Sequence, residues 1–254
     1  MSRTPLRSGR HDPLSTRAAT RAPGRAGRLL RAAAAAAATA SAVLALGLLV
    51  RDQWDPLVGF DQGAVAAATS FAAARPALVD ALLAWQWAFE GRRLIFPVAA
   101  VCLLVWWRTG MRTRTWWALG TMLAAWGFAN VAKEVARLAR PVLDDPIAHV
   151  PGYSFPSGHA STTAAWTTAL VVLIWPLLRN RWQKAGAVIG AASLTVATAL
   201  DRVMLGAHYP SDVFAGAVLG VGLVLASYLG YRGWSPPHDT ALTNPTDRST
   251  EAAR

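Results

Sequence analysis

Three separated patches of the chain hold residues whose types and spacing can do chemistry. The first is Lys133-Glu134-Val135-Ala136-Arg137-Leu138-Ala139-Arg140-Pro141, the second Pro156-Ser157-Gly158-His159, and the third runs from Arg202 to Asp212 through His208. Lys133 is the sharpest letter. The chain has two lysines against twenty-three arginines, and one of the two stands seven residues before Arg140. Cations at that spacing are expected to share a face of one helix, with Arg137 near them and Pro141 helping to end it. Such a face can hold the non-bridging oxygens of a phosphate, the arginine as a planar fork and the lysine as a point charge. The competing reading is a basic interface patch that meets lipid headgroups, with Glu134 as its neutralising partner.

Pro156 to His159 opens an apolar run and is read as a helix N-terminus, where free N–H groups and the dipole favour an anion. Gly158 permits close approach of a phosphate to the backbone, and Ser157 can cap the helix or donate to a phosphate oxygen. His159 can exchange a proton near neutral pH. The plainer reading is a helix cap with a surface histidine. In the third patch Pro210 suits the first turn of a helix and brings Asp212 within reach of His208. A carboxylate accepting from one ring nitrogen leaves the other nucleophilic. Arg202 would clamp the phosphate. Against this stands a capped helix start with an Arg202–Asp212 surface ion pair. A metal set of His149, His159, His208 and Asp212 is disfavoured, because Lys133, Arg140 and Arg202 would repel a divalent ion and suit a phosphate dianion. No Walker or Rossmann glycine pattern is present, and no metal and no cofactor are expected.

The elements that position these residues are membrane helices. Of 254 residues, 54% are hydrophobic and 15% charged, and the apolar ones come in blocks. Six stretches, near 32–50, 93–107, 115–132, 160–178, 185–201 and 212–230, predict an all-α polytopic bundle of six transmembrane helices, since the runs are too long and continuous for lipid-facing strands. Residues 62–89, interrupted by Arg75-Pro76 and Asp80, read as an interfacial or external helical segment and not a seventh span. Leu44 to Val50 follow the small residues near Ala38 to Ala42, the wrong order for a cleaved signal, so an uncleaved anchor is expected. Cys102 stands alone and cannot form an intrachain disulfide. Most of the twelve tryptophans lie near span ends, as an interfacial belt does.

Net charge is +11, and residues 1–31 supply +7 of it through eight arginines and one aspartate. That arm reads as a cytoplasmic retention signal in preference to a nucleic-acid binder. Arg108, Arg112 and Arg114, then Arg179, Arg181 and Lys184, mark the same side as cytoplasmic. The connections 51–92, 133–159 and 202–211 fall on the other side, and every candidate catalytic residue lies in one of the last two or just inside a helix end. The expected organisation is a basic disordered arm (1–31), a six-helix domain (32–231, with the motifs in about 115–230) and a disordered cytoplasmic tail (232–254).

Taken together, the patches resemble the type 2 phosphatidic acid phosphatase superfamily of integral membrane lipid phosphatases, with its acid phosphatase and haloperoxidase relatives. The family pattern is Lys, six residues, Arg-Pro; Pro-Ser-Gly-His; and Ser-Arg, five residues, His, three residues, Asp. Asp201 stands where that pattern has Ser. The resemblance implies His208 as nucleophile, Asp212 as its orienting partner and His159 as proton donor to the leaving oxygen. Lys133, Arg140, Ser157, the Gly158 N–H and Arg202 would hold the phosphoryl oxygens. It implies a metal-independent phosphatase acting through a phosphohistidine on a membrane lipid at the external face of a bacterial plasma membrane, with no nucleic acid and no obligate protein partner. The first substrate expected is polyprenyl (undecaprenyl) diphosphate, with phosphatidic acid and phosphatidylglycerol phosphate close behind. A lipid phosphotransferase, and a non-catalytic lipid-phosphate binder or transporter, are the other classes. Asp144, Asp145, His149 and Tyr153 are candidates to line the mouth, while His11 and His238 are expected to be inert.

Overall fold

The computed structural model describes residues 24–142, 147–148 and 150–232. Most of the basic arm, nearly all of the tail, Asp144, Asp145, His149, His11 and His238 lie outside the described residues. Eight α-helices follow one another: α1 (Arg25–Arg51), α2 (Asp55–Ala73), α3 (Pro76–Ala88), α4 (Gly91–Thr109), α5 (Arg112–Ala136), α6 (Gly158–Ile174, with a 3₁₀ turn over Trp175–Leu177), α7 (Arg181–Met204) and α8 (Pro210–Tyr231). Each of the six apolar stretches is one of these helices. By length and composition α1, α6 with its turn, α7 and α8 can each cross a membrane, and the α2–α3 pair, bent by 114°, would make a fifth if it counted as one broken span. α4 carries Arg92, Arg93 and Arg108 within nineteen residues. α5 is diluted by Thr, Gly, Trp and Asn130.

Polarity is distributed inside out. Asp201, Arg202, His208 and Asp212 are all buried, while Phe96, Trp107, Phe128, Val131 and Phe214 are all more than half exposed. That arrangement suits an apolar solvent, where polar groups turn inward and large side chains face lipid. α8 is the hub, packed most extensively on α1 and α6. Small residues make this approach possible. A Cβ on Gly220 would lie 2.3 Å from the Ser161 carbonyl oxygen, one on Gly216 2.5 Å from that of Ser157, and one on Gly222 2.2 Å from Thr39 Oγ1 of α1. The α4–α5–α6 side closes on Val98, Cys102, Ala118, Met122, Trp166 and Leu173.

One sequence expectation changes. It placed Lys133 and Arg140 on one helix face. α5 ends at Ala136, and Arg137 adopts the left-handed conformation (φ 51°) with its N–H on the Lys133 carbonyl. This cap turns the chain out of the helix four residues before Pro141. Residues 62–89, expected to be an interfacial or external helical segment, are helical. They fall in α2 and α3, joined at Ala74–Arg75 and packed on α7 and, through α2, on α8. Both helices reach the candidate residues.

Candidate active site

All three patches meet at one end of the bundle, where α5 and α7 finish and α6 and α8 begin. Ser157 caps α6, its hydroxyl accepting from the Ala160 N–H at 3.5 Å. Its own N–H donates to the Asp212 carbonyl at 2.9 Å, which ties the start of α6 to the start of α8. Pro210 opens α8, and the Asp212 carboxylate reaches back to accept from the Tyr209 N–H at 2.9 Å. A carboxylate in a first helical turn satisfies an orphan donor and the dipole together. Asp61 of α2 holds the same helix start, accepting from the Ser211 N–H at 3.0 Å and from its hydroxyl at 2.5 Å.

His208 sits just before α8 and is buried. Its Nδ1 lies 3.2 Å from Ser154 Oγ and 3.4 Å from Asp212 Oδ2, and the Ser154 hydroxyl donates to that carboxylate oxygen. Its Nε2 lies 3.2 Å from Nη1 of Arg140. A guanidinium only donates. Nε2 therefore carries the lone pair, and Nδ1 the proton that Ser154 and Asp212 share. Burial pushes the His208 imidazolium down to about 4, against the opposing hydrogen bond and charge of Asp212, so the ring is neutral at pH 7.

The cations converge without a shared helix. Arg140 donates to the carbonyls of Ala207 (2.7 Å), Gly152 (3.0 Å) and Pro151 (3.3 Å), and so comes to the site by the folding of the 137–157 loop. Lys133 donates to the carbonyls of Tyr153 at 2.9 Å and Ser154 at 3.3 Å. Its Cε would stand 3.4 Å from a Cβ on Gly158, so the lysine stem lies over the backbone that opens α6. Arg202 donates Nε (2.8 Å) and Nη2 (2.6 Å) to one oxygen of Asp201, and Nη1 (2.6 Å) to Gln86 Oε1 of α3. The Arg202–Asp212 ion pair weighed from sequence is replaced by this Arg202–Asp201 pair.

His159 lies within electrostatic range of Arg202, His208 and Lys133, and the backbone carbonyl of Gln86 accepts from its ring. Its Nε2 is buried and has no protein partner. With Gly158, Thr162, Glu90, Trp126 and Asn130 it lines a cleft of about 430 Å³ between α4 and α5. Among the described residues no three His, Cys, Asp or Glu side chains converge as a metal set. All eight candidate residues thus cluster, and Ser154, Gln86 and Asp61 join them. Ser154 lies two residues before Pro156 and could have been suspected as a hydroxyl beside a nucleophile. Nothing local flags Gln86 or Asp61, which lie outside the motifs.

Residues 114–235 match the model of the PAP2 superfamily. Over this stretch, just under half of its length, the chain is similar to the PAP2 superfamily. It is 44% identical over 69 residues to phosphatidylglycerophosphatase B of Haemophilus influenzae, covering 27% of this chain and 28% of that protein. It is 35% identical over 83 residues to lipid A 1-phosphatase of Rhizobium etli, covering 33% and 32% of the two chains. It is also 35% identical over 129 residues to decaprenylphosphoryl-5-phosphoribose phosphatase of Mycobacterium tuberculosis, covering 48% of this chain and 65% of that one. The chain therefore spans a third or less of the length of the first of these relatives. In fold it is similar to the crystal structure of a transmembrane PAP2 type phosphatidylglycerolphosphate phosphatase from Bacillus subtilis, with a TM-score of 0.65, 21% identity, and 76% and 93% of the two chains covered. The described residues are those of an all-α, multi-pass membrane protein.

Proposed function

We propose that this protein is a PAP2-type, metal-independent phosphatase of a membrane lipid phosphate or diphosphate, with His208 as its nucleophile. One observation carries the reading. His208 offers an unprotonated Nε2 beside Arg140, while Nδ1 is held by Ser154 and Asp212. The Nε2 lone pair attacks phosphorus as the bond to the leaving oxygen breaks, and that oxygen takes a proton from His159 Nε2. Water then attacks the phosphohistidine, gives its proton to His159, and phosphate leaves His208. Lys133, Arg140, Arg202, Ser157 and the Gly158 N–H stabilise charge on the phosphoryl oxygens. His159 must itself be protonated first, and an arriving phosphate dianion favours this.

The substrate we assign first is a polyprenyl-linked phosphate or diphosphate. Among the relatives aligned by sequence above, the mycobacterial protein is covered over the greatest share of its length, and its name carries a decaprenyl group. We assign the domain to 32–231, with six spans, both termini cytoplasmic and the site on the external face of a bacterial plasma membrane. The arginines of the α4–α5 and α6–α7 connections, at the end opposite the site, support that direction.

The test is phosphate release by purified protein in detergent with EDTA, on undecaprenyl diphosphate, phosphatidic acid and phosphatidylglycerol phosphate, beside His208→Ala. Release that survives EDTA and disappears in the variant is expected. Full activity in His208→Ala would sink the nucleophile, and phosphate recovered on an acceptor alcohol would make the protein a phosphotransferase.

A further inference from the structure

Arg202 and Asp201 are neighbours in sequence on α7, and adjacent helical residues do not normally face each other. Here the guanidinium folds back so that Nε and Nη2 both bind Asp201 Oδ2, and both side chains are buried. The Nε/Nη2 edge is one that a guanidinium uses to fork a phosphate. In Arg202 that edge is occupied, and the other side is held by Gln86. The second Asp201 oxygen, Oδ1, is buried with no partner, so the carboxylate is committed to Arg202 through one oxygen only. With Asp212 engaged by Ser154 and the Tyr209 N–H, Asp201 is the carboxylate that directly neutralises one of the three cations of the site.

We propose that Asp201 is a built-in counter-anion that competes with the substrate phosphate for Arg202 and so sets the anion affinity of the site. Gln86 is the second positioning residue, holding Nη1 while Asp201 holds the forking edge. The inference rests on the phosphate-binding reading of the site. It makes Arg202 a clamp that a phosphate engages against an internal competitor. The consequence is weaker retention of the inorganic phosphate product than three free cations would give. Removing the carboxylate leaves a buried cation that only an external anion can neutralise.

The experiment uses the full chain in detergent and inorganic phosphate as the probe, with binding read by calorimetry and by the rise in Tm on adding phosphate. Asp201→Asn keeps the shape without the charge, and Asp201→Ser removes both. Each is expected to bind phosphate about tenfold more tightly than the native chain, the size of effect about 1.4 kcal/mol gives, and to gain more in Tm from phosphate. Gln86→Glu sets a second carboxylate against Arg202 and is expected to weaken binding by about the same factor. It keeps the test alive if the Asp201 variants do not fold. Folded Asp201 variants that bind phosphate no more tightly than the native chain overturn the inference, and so does a folded Gln86→Glu with unchanged affinity. Binding is read without turnover, so the two readings can fail separately. Phosphate affinity that follows Asp201 in a protein that hydrolyses no lipid sinks the phosphatase alone. Lipid hydrolysis with phosphate affinity indifferent to Asp201 sinks the counter-anion alone.

Discussion

In the proposed mechanism His208 serves as nucleophile only while Nδ1 keeps its proton and Nε2 stays unprotonated. Ser154 bridges the ring and Asp212, and it is buried beside them. Ser154→Ala removes an acceptor for Nδ1–H and a donor to the carboxylate. In the proposed mechanism this lowers kcat by about ten- to a hundredfold with little change in KM, measured as initial phosphate release from a lipid phosphate. Acid dependence belongs to the same ring. Its pKa in the folded protein is pushed down to about 4, chiefly by burial. The neutral, nucleophilic form persists as pH falls through the ordinary histidine range and is lost only near 4. The acid limb of kcat/KM, corrected for the second ionisation of the substrate phosphate, is expected near 4, and a limb near 6.5 would contradict the burial argument. The histidine and aspartate were legible from their spacing across a helix start. The serine was not, because its contact crosses from the 137–157 loop to α8.

The seam between α6 and α8 sets the distance between the Ser157–His159 cap and the His208–Asp212 pair. Gly216 and Gly220 face the α6 backbone so closely that an added methyl overlaps a carbonyl oxygen. Gly220→Ala is expected to cost about 1–3 kcal/mol through overpacking and to separate the two helix starts. Both Tm in detergent and phosphate release should fall. Gly190→Ala on α7, where an added Cβ meets nothing within 4 Å, is the matched control and should leave both intact. The Gly216-x-x-x-Gly220 spacing is a sequence signal for close helix approach. Which helix it meets depends on the bundle. The end of α5 was misread because the interval from Lys133 to Arg140 fits a helical face, and Arg137 has no glycine-like signature for the left-handed cap it makes.

The polarity of the described residues, with buried ionisable groups at one end and exposed Phe, Trp and Val around the sides, is that of a membrane bundle, and the proposed chemistry lies at that one end. Cys102 is fully buried, so the native chain should be silent to a membrane-impermeant maleimide. Val142, at the site end, is 92% exposed, and Arg179 lies in the connection at the opposite end. Val142→Cys is expected to label in intact cells and Arg179→Cys only after permeabilisation. The reverse pattern would turn the protein over in the membrane.

The sequence by itself determined the helical membrane class, and it supplied the candidate residues of the site and the proposed side of the membrane for them. Apolar run length, helix-start chemistry and arginine asymmetry are local properties of the chain. Tertiary structure alone decided what each charged group faces. Arg202 turns to Asp201 and Gln86 instead of Asp212, Arg140 arrives by a loop instead of a helix face, and Asp61 of α2 closes the start of α8. Those partners lie up to 150 positions apart. Residue spacing reports which groups share a face of one element, whereas a buried charge takes as partner whatever group packing brings within hydrogen-bond reach.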